Sequence, residues 1–250
     1  YRGTRAIAPE DTSNNSQYFG QSVSSAGDFD GDGLDDVVIG NGYERGSVSI
    51  FLSSSMPSYI SPKSPWDADY WFRGTSGNDQ IGSSVACAGD VNGDGLDDIL
   101  IGATGRNTYQ GAAYLILGNT SSGGEIVFSS SSGYDQLIQG VDPGGYTGSS
   151  VSSAGDLDGD GLDDILIGAK YDDEGGTNAG RAYVVLASTL TLGSRDLYLS
   201  FQSDYTFTGH NDHDYLGEDV AAAGDVDGDG LGDFLLGAWG NDDGNGTAGK

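Results

Sequence analysis

Apolar residues in this chain come in short runs of four to six, rich in β-branched and aromatic side chains and bounded by Gly, Ser, Asn or Asp. Such runs predict β-strands, and no stretch of about a dozen residues carries the apolar period of a helix. Four runs are apolar on consecutive residues: Val37–Gly40, Ile99–Gly102, Ile165–Gly168 and Phe234–Gly237. A strand with one wet face alternates, so consecutive apolar residues predict strands covered on both faces. Around the second run the pattern predicts four strands, at Ser83–Ala88, Asp98–Gly102, Ala112–Leu117 and Gln136–Gln139. No helix is required.

Each run follows a nine-residue acidic phrase: Asp28 to Asp36 (DFDGDGLDD), Asp90 to Asp98 (DVNGDGLDD), Asp156 to Asp164 (DLDGDGLDD) and Asp225 to Asp233 (DVDGDGLGD). The phrases begin 62, 66 and 69 residues apart. Upstream of each stands Phe19-Gly20, Ile81-Gly82, Thr147-Gly148 or Leu216-Gly217, then a small-residue stretch ending Ala-Gly-Asp. Repeats of this length are units that cannot bury their apolar faces alone and must stack. Stacked four-stranded blades cover every sheet on both sides without helices. The expected fold is all-β, a β-propeller-type array of four-stranded antiparallel blades in a single repeat region. Blades are expected at 19–74, 81–140, 147–209 and, incomplete, 216–250, with 1–18 closing a preceding blade.

The acidic phrase carries the donors of a hard-cation loop, since Ca²⁺ takes oxygens from carboxylates, amides and backbone carbonyls. Positions 1, 3, 5 and 9 supply Asp28, Asp30, Asp32 and Asp36 in the first loop, and Asp90, Asn92, Asp94 and Asp98 in the second. The third offers Asp156, Asp158, Asp160 and Asp164, and the fourth Asp225, Asp227, Asp229 and Asp233. Position 7 would add a backbone carbonyl from Leu34, Leu96, Leu162 or Leu231. Glycines at positions 4 and 6 let so short a loop close, because only Gly enters positive φ cheaply. An EF-hand is excluded. It needs a bidentate Glu at position 12, where this chain has Ile39, Ile101, Ile167 and Leu236. Without a cation the converging carboxylates would repel and raise one another's pKa. About four Ca²⁺ ions are therefore expected, the second site slightly weaker for its Asn92. At position 8, Asp35, Asp97 and Asp163 are expected to point outward, since the fourth loop has Gly232 there.

A Phe-Gly pair, a DxDGDGxxD loop and a following Gly-Ala resemble the FG-GAP repeat, the blade unit of the integrin α-subunit β-propeller and of many bacterial surface proteins. Gly102-Ala103, Gly168-Ala169 and Gly237-Ala238 keep the second half of that phrase; Gly40-Asn41 departs from it, and only Phe19 keeps the Phe. The likeness covers nearly the whole chain as about four repeats. It implies four-stranded blades with each Ca²⁺ in the loop joining a blade's first two strands. It implies a ring of about seven blades. The chain is therefore expected to be part of a longer one, opening inside a blade at Tyr1-Arg-Gly-Thr4 and ending before the third strand of its fourth repeat. In integrins the partner surface lies on the face away from the calcium loops; the resemblance carries no partner-binding residue onto this chain.

The charge narrows the partners. Thirty-eight acidic against ten basic residues give −28, and four divalent ions would leave −20. So acidic a protein repels nucleic acid and anionic membrane. Extracellular sites as weak as ~10⁻⁴–10⁻³ M still fill outside cells, so secretion or the cell surface is expected. No apolar run is long enough to span a bilayer, so no membrane insertion is expected of this segment.

The lone Cys87 aligns with Ser25, Ser153 and Ala222 and reads as a packed small residue. His210 and His213, beside Asp212 and Asp214, read as a solvated loop. Sequons at Asn14, Asn119 and Asn245 fall in expected loops. No nucleophile elbow, catalytic triad spacing or phosphate loop occurs, so this segment is expected to be non-catalytic.

Three function classes remain. The first is a calcium-stabilised adhesion or interaction module with a protein or glycan ligand at the cell surface. The second is a subunit of an extracellular fibre or coat that self-associates through blade edges. The third is a carbohydrate-binding module, or the non-catalytic part of a polysaccharide-active enzyme, with Trp66, Trp71, Tyr109, Tyr171 and Trp239 as candidate anchors.

Overall fold

The computed structural model describes residues 18–55, 67–120, 123–128, 133–190 and 196–241. In the first blade β1 (Ser22–Gly27), β2 (Asp36–Asn41), β3 (Ser47–Phe51) and β4 (Tyr70–Gly74) are antiparallel neighbours in chain order. The second blade repeats this with β5 (Ile81–Gly89), β6 (Asp98–Ala103), β7 (Ala112–Ile116) and β9 (Gln136–Gln139). The third uses β10 (Thr147–Gly155), β11 (Asp164–Ala169), β12 (Arg181–Val185) and β14 (Tyr205–Thr208). A two-stranded fourth unit, β15 (Leu216–Gly224) and β16 (Asp233–Ala238), ends the described residues' strands. Two four-residue helical turns, α1 (Arg106–Tyr109) and α2 (Leu199–Gln202), lie in connections.

Two blades exceed the expected four strands. β8 (Glu125–Phe128), between β7 and β9 in sequence, crosses back and pairs in parallel with β4 of the first blade. β13 (Asp196–Tyr198) does the same to β9 of the second. The second and third repeats thus each lend a short strand to the outer edge of the blade before them, which blunts an open edge.

The consecutive apolar strands are sandwiched, as their pattern requires. On β6, Ile99, Ile101 and Ala103 pack into a core shared with the first blade, while Leu100 packs into the core shared with the third. On β11, Ile165, Ile167 and Ala169 face the second blade and Leu166 faces the fourth unit. A period of two feeds two different cores from one strand.

Close backbone approach explains both Gly pairs of the repeat. A Cβ at Gly40, Gly102 or Gly168 would collide with the carbonyl oxygen of Gly82, Gly148 or Gly217 in the next blade. Those partner glycines sit at φ +86°, +82° and +81°, which other residues adopt only under strain.

Candidate metal centre

The acidic loops join the first two strands of each unit: β1–β2, β5–β6, β10–β11 and β15–β16. A bulge launches each one. The register shifts between Ser25 and Gly27, Cys87 and Gly89, Ser153 and Gly155, and Ala222 and Gly224. The Ser25 and Ser153 hydroxyls and the Cys87 thiol accept the N–H of the glycine two residues on, at 3.2, 2.9 and 3.4 Å. The fourth unit has Ala222 at this position, so the bond belongs to the first three units only. Burial pushes the Cys87 thiol up to about 11, which makes it a poor nucleophile.

Within the loop, side chains fold back on the backbone that follows. The carboxylate at position 1 accepts the N–H of the glycine at position 6: Gly33 to Asp28, Gly95 to Asp90, Gly161 to Asp156 and Gly230 to Asp225, at 2.9–3.0 Å. Position 3 accepts the N–H of position 5, and position 5 that of the Leu at position 7. Each such Asx turn holds a carboxylate against its own loop. Three groups converge to within 4.8 Å: Asp28, Asp30 and Asp32; Asp156, Asp158 and Asp164; and Asp225, Asp227 and Asp229. Asp36, Asp160 and Asp233 stand outside these groupings. In the second loop Asn92 stands in place of a carboxylate, and its amide donates to Asp94 Oδ2 at 2.9 Å.

Position 9 is anchored from two sides. One oxygen of Asp36, Asp98 and Asp164 accepts the N–H of position 2 (Phe29, Val91 or Leu157). The other accepts an N–H just past the third strand, from Ser53, Gly118 or Ala187, at 2.8 Å in each blade. Burial, opposed by those bonds and reinforced by Asp94 and Asp90, pushes Asp98 up to about 7. Burial likewise pushes Asp164 up to about 6, with Asp158 and Asp160 adding to it. Asp36 is raised for the same first reason. Asp28 Oδ1 is buried and has no hydrogen-bond partner. A clustered, oxygen-only donor set with an orphaned buried carboxylate oxygen fits a hard divalent cation.

The position 8 expectation is corrected for two loops. Asp35 is exposed, but Asp97 and Asp163 turn inward and bond to the preceding blade. Asp97 Oδ2 accepts the Asp28 N–H at 2.7 Å, and Asp163 Oδ2 accepts the Asp90 N–H at 3.0 Å. The leucines at position 7 also reach across. A Cβ at Gly31, Gly93 or Gly159 would stand 2.8, 3.1 or 3.3 Å from a Cδ2 of Leu96, Leu162 or Leu231. Among the described residues no such glycine faces Leu34, the first loop's leucine, which is exposed.

Matches to the family described as "FG-GAP repeat" cover residues 19–51, 82–116 and 147–185, each running from a blade's first strand through its third. Those three segments are FG-GAP repeats. The fourth acidic phrase lies outside the matched residues, although its strands and loop repeat the same geometry. The chain with these FG-GAP repeats is 30% identical over 233 residues to "Integrin alpha pat-2" of Caenorhabditis elegans, covering 86% of this chain and 17% of that protein. It is 31% identical over 236 residues to "Integrin alpha-5" of Xenopus laevis, covering 90% of this chain and 20% of the other. With "Integrin alpha-V" of Gallus gallus it shares 29% over 253 residues, 97% of this chain and 22% of the relative. It thus spans about a fifth of the length of these relatives.

Opposite the acidic loops, where the first strands begin and the second strands end, aromatic rings of successive units form a row. Tyr109 stacks on Tyr146, Tyr146 meets Tyr171 edge-on, Tyr171 meets Tyr215 edge-on, and Tyr215 stacks on Trp239, with centroids 5.0–5.8 Å apart. Of the other aromatic candidates, Trp71 lies on the outer strand β4 under Arg73, and Trp66 is outside the described residues. His213 stacks on Tyr215, while the His210 N–H is held by buried Asp214, so the two histidines serve separate local contacts. Asn119 is exposed in the connection after β7. Asn14 and Asn245 fall outside the described residues, as does the blade end expected at Tyr1–Thr4. Among the described residues no helix is long and apolar enough to cross a membrane.

Proposed function

We propose that this chain is an extracellular or cell-surface β-propeller module that mediates adhesion or protein interaction, with Ca²⁺ as a structural ion in its four acidic loops. The observation that carries the cation reading is the convergence of Asp28, Asp30 and Asp32 with the buried, unpartnered Asp28 Oδ1. The proposed donors are the side chains at positions 1, 3, 5 and 9 of each loop and the carbonyls of Leu34, Leu96, Leu162 and Leu231. When bound, the ion would neutralise carboxylates that burial otherwise drives toward protonation. The chain's own residues do the rest. Position 9 ties the loop to the strand-three exit, and position 1 closes it on the glycine at position 6. No residue is assigned a catalytic role.

The partner face is proposed to be the one opposite these loops, in line with the resemblance to integrin α-subunits. Its aromatic row supports that choice, because Tyr and Trp are enriched at protein interfaces. Attachment of cells or of matrix proteins to immobilised chain tests the reading. Attachment should need Ca²⁺ and fall several-fold in Tyr171→Ala and Trp239→Ala. Attachment indifferent to chelator and to both substitutions would overturn it. A second reading, glycan binding, is favoured by Trp239 alone, which is 60% exposed and stacked nearly parallel on Tyr215. Selective binding on a glycan array, lost in Trp239→Ala, would favour that reading over the first.

A further inference from the structure

A carboxylate belonging to one acidic loop grips the backbone of the loop before it. Asp97 accepts the Asp28 N–H at 2.7 Å, and its own N–H donates to the Asp28 carbonyl at 3.2 Å. Asp163 makes the same pair with Asp90, at 3.0 and 3.2 Å. Two bonds thus close a ring across the blade interface at the first residue of the receiving loop. The preceding residue must be Gly, because a Cβ at Gly27 or Gly89 would collide with the gripping carboxylate. At the third interface residue 232 is Gly. Only the backbone half remains, Gly232 N–H to the Asp156 carbonyl at 2.7 Å.

We propose that Asp97 and Asp163 are positioning residues for cation sites they do not ligate. They tie the loops at 28–36, 90–98 and 156–164 into one coupled row, and Gly232 leaves the loop at 225–233 outside that carboxylate coupling. This inference rests on the cation reading above.

The coupling follows from where each group sits. Asp97 stands between Leu96 and Asp98, two proposed donors of its own loop, so ordering that loop fixes Asp97. Fixing Asp97 in turn fixes Asp28, the first donor of the loop before, whose carboxylate closes on Gly33. Leu96, packed over Gly31, moves with it. Asp163 is further surrounded by Asp97, Asp90 and Asp156. A cation in either neighbouring loop relieves that crowding and favours the grip. By linkage, filling one site must then raise the affinity of the next, and the reverse.

Nitrogen–proton NMR of the full chain during a CaCl₂ titration reads the four sites separately, through the amides of Gly33, Gly95, Gly161 and Gly230. In the native chain the first three should titrate together and Gly230 on its own curve. Asp97→Ala should move the Gly33 midpoint to higher Ca²⁺ by roughly three- to tenfold, the net worth of one ordinary hydrogen bond. Gly230 should stay in place. Asp97→Asn keeps an acceptor oxygen and should restore most of the Gly33 affinity, which a merely packing role would not require. An unmoved Gly33 in Asp97→Ala, or an equal shift at all four glycines, would overturn the coupling while leaving the cation sites standing. If no glycine amide of the native chain responds to Ca²⁺, the cation reading falls and the coupling with it.

Discussion

At the junction of the second and third blades, Gly102 lies against Gly148, Asp163 grips Asp90, and β13 returns to cover β9. At the junction of the third blade and the fourth unit, Gly168 still lies against Gly217, but Gly232 replaces the gripping Asp. The same phrase has different fates on either side. Val91 and Leu100 of the second repeat are 1% and 0% exposed, whereas their counterparts Val226 and Leu235 in the fourth are 72% and 63% exposed. Local pattern makes the strand, but neighbours on both faces make the core. That is the behaviour of a repeat array, whose stability sums contributions from units and their interfaces.

The largest effect should come from removing a carboxylate that anchors an enclosed blade. Asp98→Ala strands the Val91 and Gly118 N–H groups in the interior and should cost about 3–5 kcal/mol, the sum of two unpaired buried donors. Among the described residues Asp233 holds only the Val226 N–H, in an exposed loop, so Asp233→Ala should cost clearly less. Urea unfolding of the two variants measures the gap; equal losses would erase the distinction between the second and fourth units.

Next comes the backbone contact between blades. Gly102→Ala drives a methyl into the Gly148 carbonyl and should cost about 2–3 kcal/mol through overpacking. Among the described residues Gly237→Ala meets nothing closer than 3.3 Å and should lie within about 1 kcal/mol of native. Thermal unfolding of the pair would sharpen the comparison, and a costly Gly237→Ala would break it.

A pH trend should also appear, confined to chelator. Asp98 and Asp164 are pushed from 3.8 up to about 7 and about 6 in the fold. Between roughly pH 4 and 7 the folded chain therefore holds protons that the unfolded chain has released, and stability should fall as pH rises. The urea midpoint in chelator should be lower at pH 7.5 than at pH 5, and Asp98→Asn should flatten much of that slope. A midpoint that rises over this range would contradict the burial argument.

Most of the fold is legible from the chain's pattern, because the consecutive apolar runs and the acidic phrases mark the first and second strands of every unit. Gln136–Gln139 forms the expected outer strand without change. β5 begins two residues before its expected start, at Ile81, where Ile81 bridges Gly46 of the first blade. β8 and β13 were not legible. They have four and three residues, and their partners lie in the preceding repeat, so no local period announces them. The inward turn of Asp97 and Asp163 is hidden for the same reason, since its cause is a glycine one blade away. Asp69, Asp135 and Asp204 were missed although they recur in step with the repeat. Their carboxylates accept the N–H groups of Leu52, Leu117 and Leu186 and close the turn after each third strand. The loop donors were readable because their chemistry is carried within nine consecutive residues.

Thermal unfolding of the native chain and of Asp158→Ala, each in millimolar Ca²⁺ and in chelator, tests the central claim most directly. Binding to the folded state alone adds to folding stability by mass action. Ca²⁺ should raise the native midpoint by several degrees, and Asp158→Ala should lower it in Ca²⁺ while changing little in chelator. Identical native midpoints in both buffers, or equal destabilisation by Asp158→Ala in each, would contradict a structural cation in these loops.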